Sequence, residues 1–236
     1  DVMVVSGSGA ERAVSGASPL AFDPERADIR DRNGELLATS LSTASLYADP
    51  SMVRDTADTT RRLARALPDV DEAELRTKLQ SDKRFVWVHR NLTPRQQFAV
   101  NRLGLPGLSF QREWRRVYTH GALAAHITGF TGIDNHGLAG IERYFDEALA
   151  GHAEPLDLSI DIRVQHVVRD ELAAAMRSFK AIGGTGIVMD AQNGEIVAMV
   201  SLPDFDSNRP GEAPADAKSL VEKGYAVAFD GACLVI

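Results

Sequence analysis

Residues 26–41 of this chain read RADIRDRNGELLATSL, and this stretch predicts a β-hairpin at the start of the folded part. Residues 28–31 alternate between polar and apolar, as a half-buried strand does. Asn33-Gly34 follows, and both residues accept the positive φ angles that a tight two-residue turn requires. Residues 35–41 then resume an extended run. The stretch is therefore predicted to be strand, turn and strand.

The same stretch is dense in charges of both signs. Its acidic and basic residues are interleaved along the chain: Asp28, Asp31 and Glu35 with Arg26, Arg30 and Arg32. Acidic residues so crowded could hold a cation, but the interleaved arginines favour ion pairs across the hairpin. A hairpin of this kind is either a solvated edge or a docking surface, and the sequence leaves both open.

Beyond Asp49-Pro50 the periodicity changes to that of helices. Leucines at 63, 67, 75 and 79 recur at helical spacing with charged residues between them. Pro68 and Pro94 divide this region into short helices, and residues 85–88 alternate as a short strand between them. We predict an α-rich insert at about residues 55–103, placed between extended segments.

The region after the insert is predicted to be turn-rich and mixed up to Gly151. Residues 141–150 predict a short helix and residues 155–160 a strand. Asp161 then caps a long helix over about residues 162–181. Its apolar stripe consists of Val164, Val168, Leu172, Ala175, Met176 and Phe179.

A second hairpin signal lies near the end of the chain. Residues 185–190 and 195–201 are β-rich and joined by Asn193-Gly194. Both runs are nearly continuous in apolar residues, which predicts strands covered on both faces inside a larger sheet. Two strands alone are not stable, and few partner strands follow. This mismatch suggests that the chain is truncated.

Composition excludes several functions. The net charge of −7 over 236 residues argues against a nucleic-acid partner. The one dense basic cluster, Arg112, Arg115 and Arg116, is interrupted by Glu113, which favours a solvated or interdomain face. The single cysteine, Cys233, excludes an internal disulfide and a cysteine-rich metal site. No apolar run approaches the ~18–20 residues that span a membrane.

The chain carries no recognisable catalytic motif. No serine is followed three residues later by lysine, and neither Ser-x-Asn, Lys-Thr/Ser-Gly nor Gly-x-Ser-x-Gly occurs. The six histidines are scattered and form no His-x-x-x-His pair, so packed, hydrogen-bonded histidines are favoured over ligands. Gly183–Gly186 follows a helix instead of preceding one, which argues against a phosphate loop. We expect no catalytic residue, no metal and no cofactor.

Four blocks, taken in order, resemble the N-terminal half of a class B penicillin-binding protein, the enzyme type that crosslinks bacterial cell-wall peptide. They are residues 26–34, residues 115–118 with 125–129, residues 137–142, and residues 184–195. Residues 158–161 with Gln165 resemble the start of the transpeptidase domain. One departure is Thr119, where the family usually has proline. The sequence of residues 134–140 is more similar to that of the division-specific members than to that of the elongation members.

This resemblance implies an α+β fold in three parts. Residues 1–25 would be a flexible segment, residues 26–157 a pedestal or dimerisation domain, and residues 158–236 a truncated start of the transpeptidase domain. Residues 213–236 match nothing in the family. The motif residues would tie the segments together without being catalytic: Arg26, Asp31, Arg32, Gly34, Arg115, Arg116, His126, Gly129, Gly140 and Glu142.

The resemblance also implies a setting and partners. The chain would lie at the periplasmic face of the bacterial inner membrane, with an anchor upstream. It would bind membrane proteins of cell-wall synthesis or division, and would meet the peptidoglycan precursor only through the missing catalytic part. Two alternatives stay open: a self-contained periplasmic binding or scaffold module, and a hydrolase with an unrecognised active site.

Overall fold

A computed structural model of the protein describes residues 25–151 and 154–213. The predictions for the N-terminal segment, Cys233 and the tail after residue 213 lie outside these residues. The described strands are β1 (Ile29–Arg30), β2 (Leu36–Ala48), β3 (Val86–Leu92), β4 (Leu108–Tyr118), β5 (Phe130–Thr131), β6 (Gly137–Ala139), β7 (Leu156–Asp157), β8 (Gly184–Met189) and β9 (Ile196–Leu202). The α-helices are α1 (Thr56–Ala66), α2 (Glu72–Leu79), α3 (Pro94–Asn101), α4 (Ala125–Thr128), α5 (Gly140–Tyr144), α6 (Asp146–Leu149) and α7 (Ile162–Phe179).

The predicted first hairpin is present. β1 and β2 pair antiparallel with Ile29 opposite Ala38, and Gly34 between them has a φ of +83°. β2 continues well beyond the hairpin and becomes the central strand of a five-stranded sheet in the described part of the chain. β4 pairs with it from Ala38 opposite Tyr118 to Ala48 opposite Leu108. β1 and β3 pair with β2 in other stretches, and β7 pairs parallel with β1.

Two hydrophobic cores lie along this sheet. The first surrounds β1 and the start of β2 and includes Ile29, Leu37, Ile127, Ile141 and Ile160. The second lies under α1, α2 and α3 at the far end of β2. It contains all four leucines that the helical spacing singled out: Leu63, Leu67, Leu75 and Leu79.

The α-rich insert differs from the prediction in one respect. Its helices form where expected, because Asp55 and Asp71 accept the backbone N–H at their helix starts and Thr93 forms a capping box with Gln96. Its strand, however, does not stay inside the insert. β3 pairs with β2, so the insert contributes a strand to the main sheet and packs its helices on that sheet.

The long helix and the second hairpin form as predicted, with two corrections. Helix α7 starts after the Asp161 cap and ends at Phe179, but two residues of the predicted apolar stripe are exposed, Ala175 and Phe179, the latter at 83%. The prediction that β8 and β9 lie inside a larger sheet is wrong for the described residues, where they form a two-stranded sheet. The outer edge of β9 is taken by the chain itself, since Asp161 donates its backbone N–H to the Val197 carbonyl at 2.8 Å. Met189 of β8 stays 61% exposed.

Two shorter elements also differ. The predicted helix over residues 141–150 is two helices, α5 and α6, interrupted at Phe145. The predicted strand over residues 155–160 is reduced to β7, after which the backbone bonds to other segments, for example Arg32 N–H to the Ile160 carbonyl at 2.9 Å. No helix in residues 25–151 or 154–213 is long and apolar enough to cross a membrane.

Candidate functional site

A buried network of charged side chains lies where the first hairpin, the sheet and helix α5 meet. The Arg26 guanidinium donates from Nε to Glu142 Oε2 at 3.0 Å, and Arg116 Nε donates to Glu142 Oε1 at 2.7 Å. The three side chains are at most 3% exposed. One carboxylate on α5 is therefore held between an arginine before β1 and an arginine on β4.

Further polar groups complete the network. Arg26 Nη1 also donates to Asp146 Oδ1 at 2.6 Å and to the Asn135 carbonyl at 2.8 Å. Arg116 Nη1 reaches the Ser40 hydroxyl at 3.2 Å and the Arg26 carbonyl at 3.3 Å. Two arginines thus face two carboxylates, so charge is balanced in a site where an uncompensated ion is costly.

Two groups in the network have shifted pKa values. For Asp146, burial opposes ionisation, but hydrogen bonds from the Gly137 N–H and from Arg26 hold its pKa below the usual range. For Tyr118, burial and then the Glu142 charge raise the pKa of the phenol. Its hydroxyl lies 3.4 Å from Glu142 Oε1 and stays protonated at neutral pH.

Glycines let the loops around Glu142 approach each other closely. Gly129 and Gly140 have φ angles of +70° and +59°. A Cβ on Gly140 would lie 2.6 Å from the Ile127 carbonyl oxygen, and one on Gly129 would overlap the Ala139 carbonyl. These contacts are with backbone, which cannot move aside easily. The two glycines therefore fix the position at which α5 presents Glu142.

Asp31 joins the first hairpin to the start of α7. Its carboxylate accepts the backbone N–H groups of Asn33 at 2.7 Å, Glu35 at 2.9 Å and Ile162 at 3.2 Å. Burial raises the pKa of this carboxyl, but the three N–H donors outweigh it and hold the pKa below the usual range. Asp31 stabilises its own turn and also the first turn of a helix 131 residues away.

The charges of the hairpin do not pair with each other as predicted. Arg30 pairs with Asp157 on β7 at 2.7 Å, which is a contact across neighbouring strands but not across the hairpin. Arg32 pairs with Glu195 at 3.0 Å, next to the turn between β8 and β9. Each partner lies far along the chain, so the hairpin connects segments.

Two further contacts connect residues 26–157 with the segment that follows. Gln165 on α7 donates to the Leu123 carbonyl at 3.1 Å, and within the following segment it also donates to the Met199 carbonyl at 2.6 Å and accepts the Met199 N–H at 2.7 Å. Asn208 holds the backbone of Tyr118 in the same two-way manner, with both bonds at 2.9 Å. The sequence analysis named Gln165 only as part of the resemblance to the transpeptidase domain.

His126 also connects residues 26–157 with the segment that follows. Its Nε2 lies 3.2 Å from the Pro203 carbonyl, and its ring packs edge-on against Phe205 at 5.2 Å. Burial lowers the pKa of this imidazole, although the Pro203 carbonyl opposes the shift. A neutral His126 that donates to Pro203 fits this surrounding.

Not all predicted motif residues meet in this network. Arg115 lies on the opposite face of β4 and is exposed, as is Arg112, whereas Arg116 is buried, so the cluster predicted for one solvated or interdomain face is divided between the two faces of the strand. Gly34 serves its turn, with no atom within 4 Å of a Cβ placed there. The sequence contained a signal for the burial of Arg116. In a strand, Arg116 lies on the same face as Tyr118, which is two residues further along the chain.

The arrangement fastens segments of the chain together. In residues 25–151 and 154–213, no three side chains of histidine, cysteine, aspartate or glutamate converge where they could hold a metal ion. Each acidic group in the network is already used by an arginine or by a backbone N–H.

Known proteins similar to this chain agree with the resemblance read from the sequence. The family model of the Penicillin-binding Protein dimerisation domain matches residues 21–155. The probable peptidoglycan D,D-transpeptidase FtsI of Caulobacter vibrioides is 41% identical over 216 residues, which are 90% of this chain and 35% of that protein. The peptidoglycan D,D-transpeptidase FtsI of Escherichia coli is 31% identical over 81% of this chain and 38% of its own length. This chain thus spans well under half of the length of these relatives. Their name, FtsI, fits the similarity of residues 134–140 to the division-specific members.

Solved structures show the same α+β fold. Penicillin-binding protein PBP2 of Helicobacter pylori, solved in complex with MreC, matches 87% of this chain and 47% of its own with a TM-score of 0.65 at 20% identity. Penicillin-binding protein 2X of Streptococcus thermophilus matches 83% of this chain and 37% of its own, with a TM-score of 0.57 at 18% identity.

Proposed function

Because this chain belongs to the penicillin-binding protein dimerisation domain family, we propose that it is the non-catalytic N-terminal part of a peptidoglycan-crosslinking transpeptidase. In this role it positions a catalytic domain that follows it and binds proteins of cell-wall synthesis or division. The observation that carries the proposal is the buried network of Arg26, Glu142 and Arg116. It fixes the segment before β1, strand β4 and helix α5 against one another.

The contacts between residues 26–157 and the segment that follows support a positioning role. Asp31, Gln165 and Asn208 each bond to a backbone group of the other part, at Ile162, Leu123 and Tyr118 respectively. Bonds to these backbone groups set an orientation, because Ile162 begins helix α7 and Tyr118 ends strand β4. In this proposal Arg26, Asp31, Arg32, Arg116, His126, Gly129, Gly140 and Glu142 are positioning residues, Gly34 shapes the hairpin turn, and Arg115 contributes a surface charge.

Partner binding is supported by the H. pylori relative of similar fold, which was solved bound to MreC. That observation concerns the other protein, and for this chain we propose only the class of partner. The proposed location is the periplasmic face of the inner membrane, where peptidoglycan is crosslinked.

The experiment compares this chain with the product of its full gene by labelling with fluorescent penicillin. The proposal predicts no covalent label on residues 1–236 and a labelled serine on the longer protein. A label on residues 1–236 itself would show that a nucleophile lies here and would contradict the proposal.

Sequencing past residue 236 separates the remaining alternatives. A Ser-x-x-Lys motif downstream is expected from the proposal. If the longer gene lacks it, the chain is better described as a self-contained scaffold module, and the positioning role is lost.

A further inference from the structure

A cleft of about 560 Å³ opens between helices α1 and α3, away from the charge network. Its lining consists of four arginines, Arg62, Arg65, Arg95 and Arg102, and four apolar residues that include Phe98 and Leu103. Arg62 and Arg65 lie on α1, and Arg95 lies in the first turn of α3. Helices α1 and α3 therefore contribute cations to the same concave surface.

The cations in this cleft are mostly unneutralised. Within the part of the chain that the structure describes, no carboxylate forms an ion pair with Arg65, Arg95 or Arg102. Arg62 has a distant partner in Asp58 at 3.6 Å and donates Nη2 to the Leu103 carbonyl at 2.9 Å, which fixes its position at the wall. In a chain with a net charge of −7, such a cluster contrasts with the rest of the molecule.

The cleft also presents an apolar surface. Phe98 is 63% exposed although it is a large aromatic side chain, and the Arg102 guanidinium lies over its ring at 5.7 Å. An exposed aromatic beside arginines is the composition that protein interfaces favour. A nucleic acid brings a phosphate with every nucleotide and needs a more extended basic surface than these four arginines offer, whereas a short acidic segment does not. A concave cleft also suits a protruding side chain better than the plane of a membrane.

We propose that the cleft between α1 and α3 binds an acidic segment of a partner protein. Its carboxylates pair with Arg65, Arg95 and Arg102, and an apolar side chain of the segment packs on Phe98. This inference rests on the proposed function, since it assumes that the chain binds other proteins, and it assigns that binding to a place.

The test is fluorescence anisotropy of the purified protein with a labelled synthetic peptide of alternating glutamate and leucine, compared with a lysine and leucine peptide. The acidic peptide should bind and the basic one should not. The double variant Arg65→Glu with Arg102→Glu should weaken binding at least ~10-fold, because it reverses two charges in the contact. Binding should also weaken as salt rises from about 50 to about 300 mM.

The matched control is Arg76→Glu, which reverses an exposed arginine on α2 outside the cleft. It should change affinity less than ~2-fold, because Arg76 is not among the residues that line the cleft. Circular dichroism checks that both variants fold. Because Arg65 and Arg102 are exposed, their replacement leaves the core intact.

Three results would overturn the assignment. The first is no binding of the acidic peptide, and the second is equal loss of binding in the cleft variant and the control. The third is preferential binding to vesicles of phosphatidylglycerol that the cleft variant loses, which would make this face a lipid contact. None of these three results changes the outcome expected from penicillin labelling. Failure of the cleft assignment can therefore be distinguished from failure of the proposed function.

Discussion

The side chains of Arg26 and Glu142 meet in the protein interior, with Arg26 Nε 3.0 Å from Glu142 Oε2, although 116 positions separate them in the sequence. Arg116 binds the other carboxylate oxygen. An ion at this depth is tolerated only when it is paired and hydrogen-bonded, so each partner depends on the others. The network therefore acts as a unit.

We predict that Glu142→Gln lowers the free energy of unfolding by about 3–5 kcal/mol, because buried Arg116 then loses its carboxylate partner and Arg26 keeps only Asp146. Urea unfolding followed by circular dichroism measures the loss. Asp157→Asn is the control, since it breaks the exposed pair with Arg30 and should cost about 0–1 kcal/mol. Equal losses in the two variants would show that burial of the network contributes nothing.

Gly140→Ala is predicted to destabilise the protein strongly, because its Cβ would lie 2.6 Å from the Gly129 nitrogen and the Ile127 oxygen. We expect a loss on the order of 3 kcal/mol, from backbone strain and overpacking together. Gly34→Ala has a similar positive φ but meets no atom within 4 Å, so about 1 kcal/mol is expected. Thermal unfolding of both variants separates crowding from φ strain, and equal melting temperatures would argue against crowding.

Gln165→Leu should weaken the link between α7 and β9. The change leaves the Met199 N–H and carbonyl without their buried partner, which costs about 1–3 kcal/mol. Hydrogen exchange should show faster exchange at the Met199 amide than in the wild type. His166→Ala, at the exposed neighbouring position, should leave that amide unchanged. Unaltered exchange in Gln165→Leu would mean that the side chain does not hold β9.

Acid should destabilise the protein partly through Asp31. Its pKa is lower in the folded state than the value of about 3.9 expected when unfolded, so the unfolded state binds the proton more tightly. The stability from Asp31 is present above about pH 4 and is lost as the pH falls through the folded pKa. In urea titrations below about pH 4, Asp31→Asn should show a shallower pH dependence than the wild type. An identical slope would exclude Asp31 as a source.

His126 should contribute to the pH dependence of stability in a higher pH range than Asp31, and with the same sign. Burial lowers its folded pKa below the unfolded value of about 6.5, so protonation favours the unfolded state. Stability should fall as the pH decreases from about 7 towards the folded pKa, and His126→Gln should remove this part of the pH dependence. Urea midpoints at several pH values test this, with exposed His166→Gln as the control.

Local elements were predictable because their signals are local. Asn33-Gly34 indicated the first hairpin, Asp161 indicated the start of α7, and the leucine spacing indicated the buried faces of α1 and α2. Each depends on backbone preferences or on a repeat within a few residues. The family followed from the order of such pieces.

The partners of charged residues were not predictable in this way. Arg26, Arg30 and Arg32 were expected to pair inside their hairpin, and each pairs with another segment. Alternation along β4 could have separated Arg116 from Arg115, but nothing local indicates that Glu142 receives both Arg26 and Arg116.

The sequence by itself thus determined the two hairpins, the helices of the insert, the start of α7 and the family to which the chain belongs, but not strand β4, which lies in a region predicted only as turn-rich and mixed. Only the tertiary structure decided that β3 joins the main sheet, that one buried carboxylate on α5 binds two arginines, and that four arginines of the helical region line one cleft. The physical reason is range. Backbone propensity acts over a few residues, whereas ion pairing depends on distances of a few ångströms that only the packed chain sets.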